Sequence, residues 1–171
     1  KKLRELINET VQSKDVYAKV LVDKDSPYLK SIVLNKGSKD NVKIGMAIVY
    51  RSYLVGKIIE VNYTNSRALL VSDLNSKIPV LLEPIDIHAV LSGTGKNYGV
   101  IEYTKDDYKQ KLTSDEIIVY TSGYGGLFKP GLPVGKIITN DLNKDSEVSF
   151  FSDFRQLDYV KIVSYEIGSG Y

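Results

Sequence analysis

Apolar and polar side chains alternate along most of this chain in short runs. Between Val16 and Val22 every second residue is apolar, the spacing that puts those side chains on one face of a β-strand. Eleven further runs, rich in Val, Ile and Tyr and separated by Gly, Asn, Asp and Ser, follow the first. They cover residues 31–34, 47–50, 54–63, 68–71, 78–82, 85–91, 100–103, 117–120, 134–139, 148–151 and 159–163. Many short strands with frequent turns predict an all-β fold of barrels or sandwiches.

The first 14 residues follow a different pattern. Leu3, Leu6 and Ile7 lie at three-and-four spacing among good helix formers, which predicts a short N-terminal helix. One and a half heptads cannot form a stable coiled coil alone. The segment is therefore either the end of a coiled coil that continues upstream or a terminal helix packed on the body, and the pattern leaves both open.

A sequence repeat divides the rest of the chain. The run Val55-Gly56-Lys57-Ile58-Ile59 recurs unchanged at 134–138, and two flanking blocks match in the same order. The flanking matches pair residues 32–37 with 118–123 and residues 66–74 with 146–154. This alignment leaves seven extra residues in the first copy, which a strand and turn through 46–53 would supply. Ordered blocks of this kind indicate two homologous units.

We predict that each unit is a small barrel, because closure removes the unpaired edges that a short open sheet would expose. The predicted domains are a helix over residues 1–14, a first barrel over 15–92 and a second, tandem barrel over 93–171. The boundary follows the densest turn cluster of the chain, Ser92 to Asn97. Turn composition does not fix this boundary closely, and exchange of a strand between the units stays open.

Charge and composition exclude several classes of function. A formal net charge of +2 gives little support to binding through nucleic-acid phosphates. The absence of cysteine excludes a disulfide framework, a thiol nucleophile and a cysteine-ligated metal. No apolar run approaches the roughly 18–20 residues that span a bilayer. Because the chain starts with Lys-Lys-Leu rather than Met, we expect it to be part of a longer protein.

Candidate catalytic residues are few. The one histidine, His88, shares a strand face with Asp86 and is expected to be a solvated or hydrogen-bonded strand residue rather than a general base. Ser122 lies in a loop faintly like a protease nucleophile loop, but position 120 is Tyr where such a loop has Gly. One His without Cys cannot make an ordinary zinc site. The sequence predicts no catalytic, cofactor-binding or metal site, and no enzyme.

Thirteen tyrosines leave an alternative function open. Small barrels bind oligonucleotides and glycans by stacking them on surface aromatics. Most of these tyrosines lie within or beside predicted strands, where Tyr is commonly half-buried. A β-barrel module that binds glycans or single-stranded nucleic acid is therefore the alternative to one that binds proteins.

One stretch resembles a known family. Residues 121–137, TSGYGGLFKPGLPVGKI, are similar to the signature of MreC, a family of bacterial cell-shape proteins. Residues 35–49, 54–58 and 66–79 resemble it as well, and the similarity extends over about residues 16–163. The chain departs from the family pattern at Lys129, where proline more often follows the aromatic residue directly, and at Ser114, where glycine is commoner.

The resemblance implies a short cytoplasmic tail, one membrane helix, a coiled coil and two β-barrels outside the membrane. It favours the coiled-coil interpretation, with Leu3, Leu6 and Ile7 in a homodimer interface, on the extracytoplasmic (periplasmic) face of the bacterial inner membrane. The implied role is a non-enzymatic scaffold of the cell-elongation complex that binds and regulates peptidoglycan-synthesis proteins. Implied partners are further copies of the chain, in a homodimer or a higher assembly, an elongation-specific penicillin-binding protein, MreD, RodA and MreB, with no nucleic acid and no cofactor.

Tyr124, Leu127 and Phe128 are the candidate partner-binding residues. They lie among serine and glycine in the signature stretch, and exposed aromatics make good interface anchors. The other interpretation is that Leu127 and Phe128 close the end of their own barrel. The sequence leaves these two interpretations open.

Overall fold

A computed structural model describes residues 15–25, 30–102, 116–124, 128–137 and 147–164. These residues form twelve β-strands, and each overlaps one of the twelve runs predicted from alternation. The strands are β1 (Val16–Asp25), β2 (Lys30–Leu34), β3 (Ala47–Tyr50), β4 (Tyr53–Val61), β5 (Ser66–Leu70), β6 (Lys77–Glu83), β7 (Ile87–Gly93), β8 (Tyr98–Glu102), β9 (Ile117–Thr121), β10 (Pro133–Ile137), β11 (Glu147–Phe150) and β12 (Tyr159–Val163). Short 3₁₀ turns occupy Ser38–Asp40 and Phe154–Gln156. The predicted N-terminal helix lies outside the described residues.

The strands close into two six-stranded antiparallel barrels. Around the first barrel the order is β1-β12-β3-β4-β5-β2, and around the second it is β7-β6-β9-β10-β11-β8. The first barrel thus takes its sixth strand from the far end of the chain. The all-β, two-barrel prediction is confirmed.

The two barrels have the same topology when β1–β6 are matched in order with β7–β12. Each strand then has equivalent neighbours, with one exchange: β6 completes the second barrel and β12 completes the first. A Ser-Asp pair followed by a large apolar residue precedes each exchanged strand. It is Ser72-Asp73-Leu74 before β6 and Ser152-Asp153-Phe154 before β12. The fold is therefore a six-strand unit repeated twice, with the sixth strands traded.

The predicted division at residues 92 and 93 is wrong. The turn cluster that suggested it connects β7 to β8 inside the second barrel. The repeat divides instead between β6 and β7, and the chain passes between the barrels through residues 71–76 and 151–158. Composition misled the prediction because the β7–β8 hairpin turn has the same Ser, Gly, Thr and Asn content as a linker.

The repeated Val-Gly-Lys-Ile motif occupies equivalent positions in the two barrels. Gly56 pairs with Leu70 across β4 and β5, and Gly135 pairs with Phe150 across β10 and β11. A Cβ at either glycine would collide with the carbonyl oxygen of the facing strand, at Leu69 or at Ser149. Both glycines are therefore required by close approach of the neighbouring backbone.

The earlier block of the sequence alignment is not equivalent in the structure. Residues 32–37 belong to β2 and residues 118–123 to β9, whereas the topology matches β9 with β3. The strand and turn at 46–53 are present, but β3 is the counterpart of β9 and not an extra strand. Both β2 and β9 lead into a turn that contains glycine, so their sequences aligned. By topology, however, the counterpart of β2 is β8.

The barrels share a buried contact through β3 and β4. Val55 and Ile58 point into the first barrel, while Ala47 and Leu54 join the apolar core of the second. All four are almost fully buried. Because β3 and β4 are covered on both faces, the two cores are separated by one layer of backbone and the barrels pack as a unit.

We predict that the two barrels unfold together. Gly56→Ala in the first barrel and Gly135→Ala in the second should each lower the free energy of unfolding by about 1–3 kcal/mol, the cost of overpacking. Each change should move the midpoint of one shared transition by about 2–4 °C per kcal/mol. Calorimetry measures both effects, with Lys57→Ala on the same strand as control. Two separate transitions, with Gly56→Ala moving one of them alone, would contradict the coupling.

Candidate protein-interaction surface

The candidate catalytic residues do not form a reactive centre. His88 is exposed on β7, as its alternation predicted, and Ile87, Ala89 and Leu91 are buried beside it. The Ser122 hydroxyl accepts a hydrogen bond from the backbone N–H of Tyr124 at 3.2 Å. Within the described part of the chain no hydrogen bond joins Ser122 to His88, and no group of three or more His, Asp or Glu side chains could hold a metal ion. No nucleophile and base are paired here as acyl transfer requires.

An apolar surface covers the outer face of β7, β6 and β9. The antiparallel register places His88 opposite Leu81, and Leu81 opposite Tyr120. Pro79 and Val90 form the next row of the same face. The side chains of Leu81, Tyr120, Pro79 and Val90 are half-buried. We call this set, with Tyr124, the β7–β6–β9 face.

Thr121 fixes the loop that carries Tyr124. Its hydroxyl donates a hydrogen bond to the Lys129 carbonyl at 2.6 Å and accepts one from the Leu132 N–H at 2.9 Å. Its backbone bonds Leu132 and Gly131, so the two ends of the β9–β10 connection are held together. Gly123 has a φ of +76°, a conformation that side chains disfavour. The Thr-Ser-Gly run thus has a structural role at the start of the loop.

Tyr124 projects from this loop over His88. The ring centroids are 5.6 Å apart at an interplanar angle of 63°, an edge-to-face contact. Tyr124 is nevertheless 67% exposed. The contact orients an aromatic side chain while leaving most of its surface available to a partner.

Of the two interpretations of Phe128, an interface anchor or a ring that closes its own barrel, its burial agrees with the second. Phe128 is 3% exposed and belongs to the apolar core of the second barrel. Leu127 lies outside the described residues, as do Leu3, Leu6 and Ile7, so their predicted roles stay predictions.

Charged groups surround the β7–β6–β9 face without entering its centre. At one side the Lys77 ammonium and the Ser92 hydroxyl bond the same oxygen of Glu102, at 3.3 and 2.7 Å. The Ser92 hydrogen bond, and then the Lys77 hydrogen bond, lower the pKa of Glu102 below its usual value. At the other side Lys136 pairs with Glu116 at 3.4 Å. An apolar centre with a polar rim is the usual anatomy of a protein interface.

Sequence reasoning found Tyr124 but missed Leu81, Tyr120, Pro79 and Val90. These residues occupy outward positions of strands, where a solvated barrel would carry polar side chains. That departure is visible in the sequence as apolar residues on both faces of β6 and β9. Which strands lie side by side depends on the exchanged topology, so the sequence could not show that these residues form one surface.

A second surface combines tyrosine and lysine on β1 and β12. Tyr17 pairs with Lys161, and Lys19 pairs with Tyr159, so the two residue types alternate across the strands. Tyr17 is 69% exposed and Tyr159 is 59% exposed. The Lys161 ammonium also lies 3.6 Å from a carboxylate oxygen of Asp15. This β1–β12 face places two exposed aromatic rings beside lysine side chains, an arrangement that suits stacking.

Comparison with known sequences identifies similar proteins. The family described as "Rod shape-determining protein MreC, barrel core" matches residues 20–164. A cell shape-determining protein MreC from Cereibacter sphaeroides is 32% identical over 144 residues, covering 84% of this chain and 47% of that protein. Its counterpart from Caulobacter vibrioides is 30% identical over 87% of this chain and 42% of its own length. The chain thus spans about half the length of these relatives.

Solved structures share the fold. A structure named MreC superposes with a TM-score of 0.75 at 25% identity and covers 95% of each chain. The major periplasmic domain of a cell shape-determining filament MreC superposes with a TM-score of 0.74 at 18% identity, over 90% of this chain and 97% of that one. MreC from Helicobacter pylori, solved in complex with the penicillin-binding protein PBP2, gives a TM-score of 0.60 at 15% identity, over 89% of this chain and all of that one.

We predict that the two aromatic residues of the β9–β10 connection differ in how much they contribute to stability. Phe128→Ala should lower the free energy of unfolding by about 3–5 kcal/mol, because a buried ring leaves a cavity. Tyr124→Ala should change it by no more than about 0.5 kcal/mol, because the side chain is exposed. Chemical denaturation of both variants measures the difference. A stable Phe128→Ala variant would show that the Phe128 ring is not part of the core.

Proposed function

The chain belongs to the rod shape-determining MreC family, and we propose that it acts as a non-enzymatic scaffold that binds proteins of peptidoglycan synthesis during cell elongation. The family membership supports a role in cell shape. The absence of a paired nucleophile and base in the described residues is compatible with binding rather than catalysis. The scaffold would offer a rigid surface, because the exchanged strands hold both barrels in one body.

The β7–β6–β9 face is the observation that carries this proposal. Its central row of Leu81 and Tyr120, with Tyr124 above His88, is apolar or aromatic, and charged pairs lie at its sides. Aromatic anchors near the centre of a patch commonly supply most of the energy of protein association. Since the barrel core does not need these outward side chains, a partner that covers them accounts for their apolar character.

The partner proposed for this face is the extracytoplasmic part of an elongation-specific penicillin-binding protein. The Helicobacter pylori MreC was solved in complex with PBP2, and it has the same fold as this chain. Regulation of synthesis and contacts with MreD, RodA and MreB belong to the same proposal. So does self-association through Leu3, Leu6 and Ile7.

The proposed location is the periplasmic face of the inner membrane, with attachment through a membrane helix upstream of this sequence. A structure with the same fold is described as a major periplasmic domain. Among the described residues, no helix has the length and apolar character needed to cross a bilayer.

We predict that Tyr124→Ala weakens binding to the penicillin-binding protein about tenfold, equivalent to about 1.4 kcal/mol. Tyr63→Ala is the matched control, because Tyr63 is 70% exposed but lies on the first barrel. Surface plasmon resonance with the extracytoplasmic part of the penicillin-binding protein measures both affinities. Leu81→Asp places a charge in the central row and should abolish binding. Equal affinities for all three variants would remove this face from the interface.

The β1–β12 face favours a second candidate function, in which the barrel binds glycan strands or single-stranded nucleic acid. Tyr17 and Tyr159 offer two stacking platforms, and Lys19 and Lys161 lie beside them. Stacking on an aromatic side chain is worth about 1–3 kcal/mol per base. The near-neutral charge of the whole chain makes this function secondary to protein binding.

If the second candidate function holds, Tyr17→Ala combined with Tyr159→Ala should reduce binding of an oligothymidine or a peptidoglycan glycan oligomer by more than tenfold. Nucleic-acid binding should also weaken steeply as salt is raised. Fluorescence anisotropy with labelled ligands measures both effects, and Tyr63→Ala again serves as control. Absence of binding to the unaltered protein at low salt would eliminate this candidate.

A further inference from the structure

A groove of about 470 Å³ lies where the two barrels meet. One wall is the β7–β8 turn with Lys96 and Asn97. The other is the end of β11 and the segment that follows it, residues 151–158, which we call the second crossover between the barrels. The remaining lining comes from the first barrel and from residues 71–76, the first crossover between the barrels. These lining residues are Lys30, Leu70 and Ser72. This volume falls within the range of about 300–1,000 Å³ that is usual for small-molecule sites.

The walls of the groove are held by backbone contacts. The N–H of Gly95 donates to the Ser72 carbonyl at 2.7 Å, and the N–H of Gly93 donates to the Ser76 carbonyl at 3.1 Å. These bonds attach the β7–β8 turn to the first crossover. On the opposite side Asp153 caps the Phe154–Gln156 turn by accepting from the Arg155 N–H. The groove is therefore largely preformed, as ligand sites usually are.

Three phenylalanine rings give the groove an apolar lining. Phe150 and Phe154 contact each other edge to face with centroids 5.3 Å apart, and Phe151 lies 4.9 Å from the ring of Tyr53. All three phenylalanines are half-buried, so each keeps part of its surface exposed. A ligand with an aromatic or aliphatic body would cover surface that water now contacts.

The charged residues that line the groove are mostly basic. Lys30, Lys96 and Arg155 are present, against one carboxylate at Asp153. Asp153 is held by Arg155, whose Nε lies 3.2 Å from one carboxylate oxygen and donates a hydrogen bond to it, and this contact lowers the pKa of the Asp153 carboxyl. The carboxylate thus stays ionised and engaged with one cation. Of these cations, Lys96 is exposed on the β7–β8 turn, and its ammonium group favours an anionic ligand.

We propose that this groove between the barrels is a binding site for a small organic anion, in which a carboxylate or phosphate group is attached to an aromatic or aliphatic body. The phenylalanine rings contact the body of the ligand, and the anionic group lies toward Lys96. The site uses no residue of the β7–β6–β9 face. It is therefore independent of the protein partner proposed above.

The test is a titration of the ¹⁵N-labelled chain, followed by amide chemical shifts, with four probes at equal concentration. Benzoate and phenyl phosphate carry both required features, benzyl alcohol lacks the charge, and inorganic phosphate lacks the ring. We expect at least one aromatic anion to shift the amides of residues 149–155 and 96–97, with the other two probes weaker. Which aromatic anion binds more tightly identifies the anionic group.

Variants of one exposed lysine test the role of charge without disturbing the core. Lys96→Gln should weaken binding of the aromatic anion by about two- to fivefold, the range of an exposed ion pair, and Lys96→Glu should weaken it further. Lys129→Gln and Lys129→Glu change the net charge equally at an exposed position outside the groove lining and should have no effect.

Three results would overturn the proposal. The first is no shift of the groove amides with either aromatic anion. The second is equal binding of benzyl alcohol or of inorganic phosphate, which would remove the need for both features in one ligand. The third is an equal effect of the Lys96 and Lys129 variants, which would attribute the binding to net charge.

Discussion

Closure of each barrel depends on a strand supplied by the other half of the chain. Without β12, strands β1 and β3 of the first barrel would have unpaired edges. Without β6, strands β7 and β9 of the second barrel would have unpaired edges. Unpaired strand edges expose backbone donors and acceptors that invite pairing with other chains. The exchange therefore makes each half necessary to the other, and it joins two small domains through two crossovers instead of one. The shared burial of β3 and β4 between the two cores follows from this arrangement.

The same constraint decides which surfaces are available for binding. The outer face of β3 and β4 is used inside the molecule, so the apolar residues Ala47 and Leu54 stabilise the fold. Leu81 and Tyr120 of the second barrel are also outward apolar residues, but they are only half-buried and belong to neither of the two core clusters of the described residues. Outward apolar side chains are thus of two kinds here, one buried between the barrels and one on the surface proposed to bind a partner. The distinction depends on the neighbours of each strand and not on the residue type.

The sequence predicted the strands well and their assembly less well. Alternation located each of the twelve strands that the described residues form, because burial of one face leaves a period of two in any half-exposed sheet. The repeated Val-Gly-Lys-Ile motif identified one pair of equivalent hairpins, since close backbone approach at Gly56 and Gly135 constrains the residue type. The exchange of sixth strands could not be predicted, because β6 and β12 have local patterns that would suit either barrel. The sequence left the placement of Phe128 open for a related reason: a ring beside glycines has the same sequence pattern whether it points outward or, as here, inward.

The two halves differ at the loop and at the groove that are proposed as binding regions. Two residues, Arg51 and Ser52, connect β3 to β4, but eleven residues connect the equivalent strands β9 and β10. The longer connection carries Tyr124 over the outer face and places Phe128 in the core, and Thr121 fixes both of its ends. Leu70 and Phe150 occupy equivalent positions, yet the larger ring extends the aromatic wall of the groove. Since equivalent strands close both barrels, the longer connection and the larger ring are not what closure of a barrel requires, and they lie at both candidate binding regions, the loop and the groove.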